Sequence, residues 1–176
     1  MMELPRQAGT PMQSIIVQTS KGSDIPNYLG GDATQFCRNR FELLQKTHGR
    51  NWMPRKPATG GYNCAGLVWA SRRAVLDNPA SWKTILEDDR YRRLVSNESA
   101  QVGDVVVYWN EGRSEIIHVA RVCAQQFLHV GDSRIPICKA LSKWDPSLGE
   151  SIHALSDVHL MDGEPFISEI YTDRPE

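Results

Sequence analysis

Residues 60–70 read Gly-Gly-Tyr-Asn-Cys-Ala-Gly-Leu-Val-Trp-Ala, and the rest of the chain is best read outward from this stretch. The run before Asn63, residues 50–62 (RNWMPRKPATGGY), carries two prolines and two glycines and is expected to be a loop. Asn63 has the short acceptor side chain that suits a helix N-cap. Cys64 to Leu76 is then expected as a helix, with Leu67, Val68, Ser71 and Val75 near the face of Cys64, ended by Asp77-Asn78-Pro79. A thiol attacks only as thiolate, and a helix start favours an anion through its unpaired N–H groups. The same amides could form part of an oxyanion hole, and Gly60 and Gly61 would let a substrate backbone approach. Cys64 is therefore a candidate nucleophile that needs an imidazole from elsewhere in the chain.

On the N-terminal side, residues 1–31 carry Pro5, Pro11, Pro26 and the Gly30-Gly31 pair. They read as an irregular arm with one short strand at residues 13–18. Asp32 is placed to cap a helix over residues 33–47, where Phe36, Cys37, Phe41 and Leu44 have helical spacing and His48-Gly49 supplies a stop. A further helix is expected over residues 80–95, with the charge run from Glu87 to Arg90 as a solvated face. From Gln101 the period changes. Strands are expected at residues 105–108 and 116–123 around the turn Glu111-Gly112-Arg113, then at 127–130 and 135–141. Helices first and an antiparallel meander second make an α+β layout, with one domain over residues 32–176 behind the arm.

The chain has 176 residues and a formal net charge of −1, so it can bury a core without staples and has no basic excess to neutralise phosphates. Nucleic acid is not expected as a partner. Nor is a membrane, because no apolar run reaches the roughly 18 residues a span requires. Residues 1–20 lack a secretory pattern, which makes the product cytoplasmic as synthesised unless a specialised system exports it. The cysteines, Cys37, Cys64, Cys123 and Cys138, show no close pair, and Cys123 and Cys138 read as small hydrophobes on strands. Cysteines and histidines are too scattered for a structural zinc site, and no metal or other cofactor is expected. Gly60-Gly61 is no phosphate loop, since no Lys-Ser/Thr follows. Asp88-Asp89 is adjacent in sequence, which points two helical side chains apart and suits paired-carboxylate chemistry poorly. The tryptophans are dispersed and read mainly as core.

His118 lies within Ile116-Ile117-His118-Val119-Ala120, where it interrupts an apolar strand. By itself it is either a hydrogen-bonded core histidine or a base. The order of motifs bears on that choice. Asn63-Cys64-Ala65-Gly66-Leu67-Val68 resembles the nucleophile segment of the NlpC/P60 branch of papain-like cysteine peptidases, roughly Asp-Cys-Ser-Gly-Leu-Val at a helix start. Gly103-Asp104 before a strand, then His118-Val119, resembles that family's Gly-Asp-Leu strand and its His-Val-Gly-Ile-Tyr strand. The likeness covers roughly residues 50–145. It departs at Asn63, Ala65 and Ala120, which stand where the family usually has Asp, Ser and Gly. The family's tyrosine upstream of the cysteine has no clear match; Trp52 or Tyr62 is the nearest residue. Ala-Leu-Ser-Lys-Trp-Asp at residues 140–145, followed by Glu150 and His153, resembles a Ser-Lys-Trp-Gly…Glu…His tail of uncharacterised proteins with this Cys/His arrangement.

The resemblance implies a papain-like fold with N-terminal helices on a small antiparallel sheet. It implies Cys64 as nucleophile and His118 as general base and acid, with Asn63, Gly61 and Trp52 as candidate binding residues. It also implies a third group that orients the imidazole from the next strand. His129, eleven residues on, is the first candidate and Asp132 the second; Ser142 and His153 enter if residues 125–135 form an insertion. His48 and His159 are expected in loops. The implied substrate is a peptide or muropeptide of the bacterial cell wall. With no secretory pattern, the reading fits an effector delivered into a rival cell, met there by an inhibitor (immunity-type) protein, or a cytoplasmic enzyme. Acyl transfer or deamidation would use the same dyad, and a non-catalytic binding module would keep only the scaffold.

Overall fold

The structure, a computed structural model, describes residues 13–48, 52–95, 98–155 and 165–175. Three helices, α1 (Gln35–His48), α2 (Cys64–Trp69) and α3 (Pro79–Asp88), accompany seven strands. These are β1 (Trp52–Lys56), β2 (Arg92–Arg93), β3 (Val105–Asn110), β4 (Ile116–Val130), β5 (Ser133–Ser142), β6 (Glu150–Ala154) and β7 (Phe166–Thr172). They form one sheet in the order β1-β6-β5-β4-β3-β7-β2, and every pairing is antiparallel. The class is α+β, as the sequence implies. No helix among the described residues is long and apolar enough to cross a membrane.

Several elements differ from the sequence reading. Residues 52–56 are a strand and not a loop: β1 is the sheet's edge, paired to β6, and there Pro54 costs no interior ladder bond. The register shifts between Pro54 and Lys56, where a proline is best tolerated. The helix expected over 64–76 stops at Trp69, because Ser71 and Arg72 take left-handed backbone conformations (φ 50° and 66°). The N–H groups of Ala70 and Arg72 both close back on the Gly66 carbonyl. The helix expected over 80–95 ends at Asp88 and is followed by the short strand β2. Thr34, rather than Asp32, supplies the oxygen that accepts from the Cys37 N–H at the start of α1. The expected strand at 13–18 is a single bridge between Gln18 and Asp24. Gly49 and His159 lie outside the described residues.

The sheet carries apolar clusters on both faces, and the register decides which side chain goes where. Val107 pairs with Val119 and Tyr108 with His118. Side chains directly opposite share a face, and successive ones alternate. Val105, Val107 and Val119 accordingly pack with Cys64, Ala65 and Val68 of α2 and with Trp82, Ile85 and Leu86 of α3. Val106, Tyr108, Ala120 and Val122 pack on the other face with Ala140 and Trp144. Residues 13–31 of the arm pack into this body. Ile25 is buried in the same cluster as Cys64, Tyr28 pairs with Val75, and Thr19 and Ser23 donate their hydroxyls to Asp88 at 2.7 and 2.6 Å. Asp88, expected on a solvated face, thus anchors the arm to the end of α3.

Candidate active site

Asn63 builds the start of α2. Its side-chain oxygen accepts from the N–H groups of Gly66 (2.9 Å) and Leu76 (3.1 Å), and its Nδ2 donates to the Leu76 carbonyl (2.7 Å). An aspartate could accept but could not donate to Leu76, which accounts physically for the amide here. Gly66 permits the tight packing beneath, since a Cβ there would come 1.9 Å from the Ala74 carbonyl oxygen. Replacing Asn63 with Ala removes a cap and leaves two buried N–H groups without their acceptor. The expected loss is about 3 kcal/mol, a Tm drop of roughly 10 °C, read by thermal unfolding.

Cys64, 8% exposed, follows at the first helical position. β4 pairs with β5 only from Arg121↔Leu141 outward, so Ile116–Ala120 has no described β5 partner on that edge. The Cys64 thiol comes to this edge, where the backbone N–H of Val119 lies within hydrogen-bonding influence of it. Burial pushes the thiol up to about 11, opposed by the N–H groups of Val119, Ala65 and Cys64 and by the Lys143 charge.

His118 is 3% exposed and lies on the Tyr108 face of the same strand. Its ring stacks on Trp144, with centroids 4.1 Å apart and planes 14° apart, and meets Tyr108 at 5.4 Å. Nε2 of His118 is buried with no hydrogen-bond partner among the described residues. Burial, and next the nearby His153, push its imidazole down to about 3. Thiol and imidazole thus rest neutral on either side of one strand edge, without a hydrogen bond between them among the described residues. A linkage effect follows. Unfolded, this histidine takes up a proton near 6.5. Its contribution to stability is therefore complete above that pH and is lost as pH falls toward about 3. Thermal scans should show a fall in Tm from pH 7 to pH 4 that is smaller in His118→Phe, which keeps the stack but cannot titrate.

The other candidates fall in different places. His129 is exposed near the tip of the β4–β5 hairpin, where it pairs with Arg134. Eleven residues of extended chain put it roughly 36 Å along the strand from His118, so it does not join the site. Asp132 lies in the turn beyond it. The long β4–β5 hairpin carries both away from His118. Ser142 and His153 lie close to the imidazole instead. Ser142 Oγ and His153 Nε2 are 2.8 Å apart, and His153 Nδ1 is 2.9 Å from the Ala154 carbonyl, which puts a proton on Nδ1; Ser142 donates to Nε2 while the ring is neutral and accepts from it once the ring is charged. His153 influences His118 through charge, and the direct holder of the His118 ring is the Trp144 stack. Trp52 is a core residue, buried with Phe41 and Leu148 and away from any surface. Gly60 serves the protein's own arm: a Cβ on Gly30 would come 1.9 Å from its carbonyl oxygen. The Gly61 N–H donates to Thr59 Oγ1 at 3.1 Å.

A buried polar network missed by sequence reasoning flanks the thiol. Glu150 accepts from Tyr62 Oη (2.5 Å), Arg72 Nε (2.5 Å) and Arg72 Nη2 (3.1 Å). Burial would push its carboxyl up, but the Arg72 guanidinium and the Tyr62 hydroxyl outweigh it and hold it below the usual range. Lys143 Nζ donates to the carbonyls of Thr59 (2.7 Å) and Leu148 and sits 5.0 Å over the Tyr62 ring. Burial brings that amine down to about 8. The signal for this network was the Ser-Lys-Trp…Glu…His run; nothing in the sequence pointed to Arg72. All four cysteines are free thiols, and no cluster of three or more His, Cys, Asp or Glu among the described residues could hold a metal. No family model, no curated protein and no solved structure matches this chain.

Proposed function

We propose that the protein is a papain-like cysteine hydrolase of NlpC/P60 type that cleaves an amide bond, with peptides of the bacterial cell wall as substrate. The observation that carries this reading is the placement of Cys64, at a capped helix start, against Val119 at the open edge of β4, one residue from the buried, neutral His118 on the other face of that strand. A neutral imidazole is a base, so the proton leaves the thiol as sulfur attacks the carbonyl carbon. The N–H groups of Val119 and Ala65, which favour negative charge at the sulfur, also suit charge on an adjacent oxyanion. The C–N bond then breaks, the imidazolium returns its proton to the leaving amine, and water releases the acyl group from sulfur. Trp144 supports this cycle, because an aromatic face attracts the imidazolium that forms within it.

The resting site is closed, so substrate must bring thiol and imidazole together. Catalytic hydrogen bonds are often long before substrate binds. That same burial favours a second reading, a binding module that retains the scaffold alone. Intact-mass analysis after acid quench separates the two. An acyl group on Cys64 that hydroxylamine removes supports the hydrolase, and an unmodified chain under turnover conditions supports the binding module. Release to an amine in place of water would identify the same site as an acyltransferase.

A further inference from the structure

We propose that Glu150 is the positioning residue of the nucleophile, clamping the segments before and after α2 to β6 and so holding the Cys64 thiol against β4. The inference rests on the reading of Cys64 as nucleophile. α2 spans six residues, Cys64–Trp69, too short to hold its own direction. Its placement depends on what ties down its flanks. Tyr62, two residues before Cys64, donates to Glu150 Oε1. Arg72, just past the helix end, forks onto both carboxylate oxygens. One fully buried carboxylate therefore holds both sides of the nucleophile helix from a strand far away in sequence.

Stability alone does not explain this choice. Glu150 is fully buried while the Arg72 side chain is 35% exposed, and a pair that desolvates one carboxylate contributes little net stability, so what it supplies is geometry: one carboxylate fixed to both flanks of α2. Arg72 reaches Glu150 from a left-handed backbone position (φ 66°), beside a second at Ser71 (φ 50°), conformations that persist only where surroundings enforce them. Lys143 adds to the clamp from another side, linking the Thr59 carbonyl before Tyr62 to the Leu148 carbonyl before Glu150. The same strand brings His153 toward the imidazole, so β6 organises both sides of the site.

The test uses the full chain and the variants Glu150→Gln, Tyr62→Phe and Arg72→Lys, with iodoacetamide as thiol probe and mass mapping at Cys64. A slipped helix exposes the thiol. The pH midpoint for Cys64 alkylation should therefore fall from about 11 toward the ordinary thiol value of 9.0. With any substrate the wild type turns over, kcat should fall at least tenfold and KM should stay within twofold. The Tyr62→Phe/Glu150→Gln pair should be no worse than Glu150→Gln alone, because both act through one carboxylate. A folded Glu150→Gln with the wild-type alkylation midpoint, or with wild-type kcat, overturns the proposal. Should Glu150→Gln fail to fold, Tyr62→Phe and Arg72→Lys decide by the same two readouts. If the wild type turns over no substrate, the hydrolase reading fails separately, and the alkylation midpoint alone decides the clamp.

Discussion

Cys64→Ala is expected to lower turnover roughly 10⁴-fold or more, since no other group can form the acyl-enzyme. The fold should survive. The thiol contributes one small group to a cluster that also holds Val68, Leu76, Trp82 and Val107, and its loss costs about 1 kcal/mol. Circular dichroism and thermal unfolding check the second point, and initial rates check the first. The other cysteines serve as internal controls. Cys37 is buried on α1, and Cys123 and Cys138 lie on the hairpin, so Ala at any of them should leave turnover within about twofold. A full loss of turnover in Cys37→Ala with Cys64→Ala active would move the chemistry to another part of the molecule.

The second large effect is expected at His118. Its removal to Ala should lower kcat/KM by about 10²–10⁴, the usual contribution of a positioned general base. The pH profile gives a sharper readout. The base must be neutral to accept the thiol proton. Burial and the His153 charge bring the His118 imidazole down to about 3, so its neutral form persists well below the ordinary 6.5. The acid limb of kcat/KM should thus lie below pH 6.5, with activity kept between pH 7 and pH 5. An acid limb centred at 6.5 would show that the imidazole titrates as an exposed one and that the reactive arrangement differs from this buried pair.

Much of the site's first half was legible because it is local. Asn63, Cys64 and the apolar residues after them state a cap, a helix start and a packed face within a few positions, and His118 stands out within its strand. What the sequence concealed depends on pairing between distant segments. β1 hides behind Pro54 and Pro57, because an edge strand can carry residues that an interior strand cannot. The helix of Cys64 looks longer in sequence than it is, since Ala-Ser-Arg-Arg-Ala has good helical propensity and only tertiary contacts, Arg72 to Glu150 and Val75 to Tyr28, pull the chain away. His129 is persuasive by spacing alone. The β4–β5 hairpin extends past the point where it leaves the site, which places the nearest polar groups, Ser142 and His153, beyond the hairpin, on the end of β5 and on β6. β6 and β7 lie past the last strand that the sequence reading identifies, and β6 carries Glu150 and His153, two polar residues near Cys64 and His118.

The reading of Cys64 and His118 as a peptide-cleaving dyad is tested most directly by digesting purified muropeptides and weighing the products. Wild-type protein should convert a parent peptide into two fragments whose masses add up to the parent plus one water, and Cys64→Ala and His118→Ala should leave the parent intact over the same time. Intact muropeptides with the wild type, or the same fragments from Cys64→Ala, would contradict it.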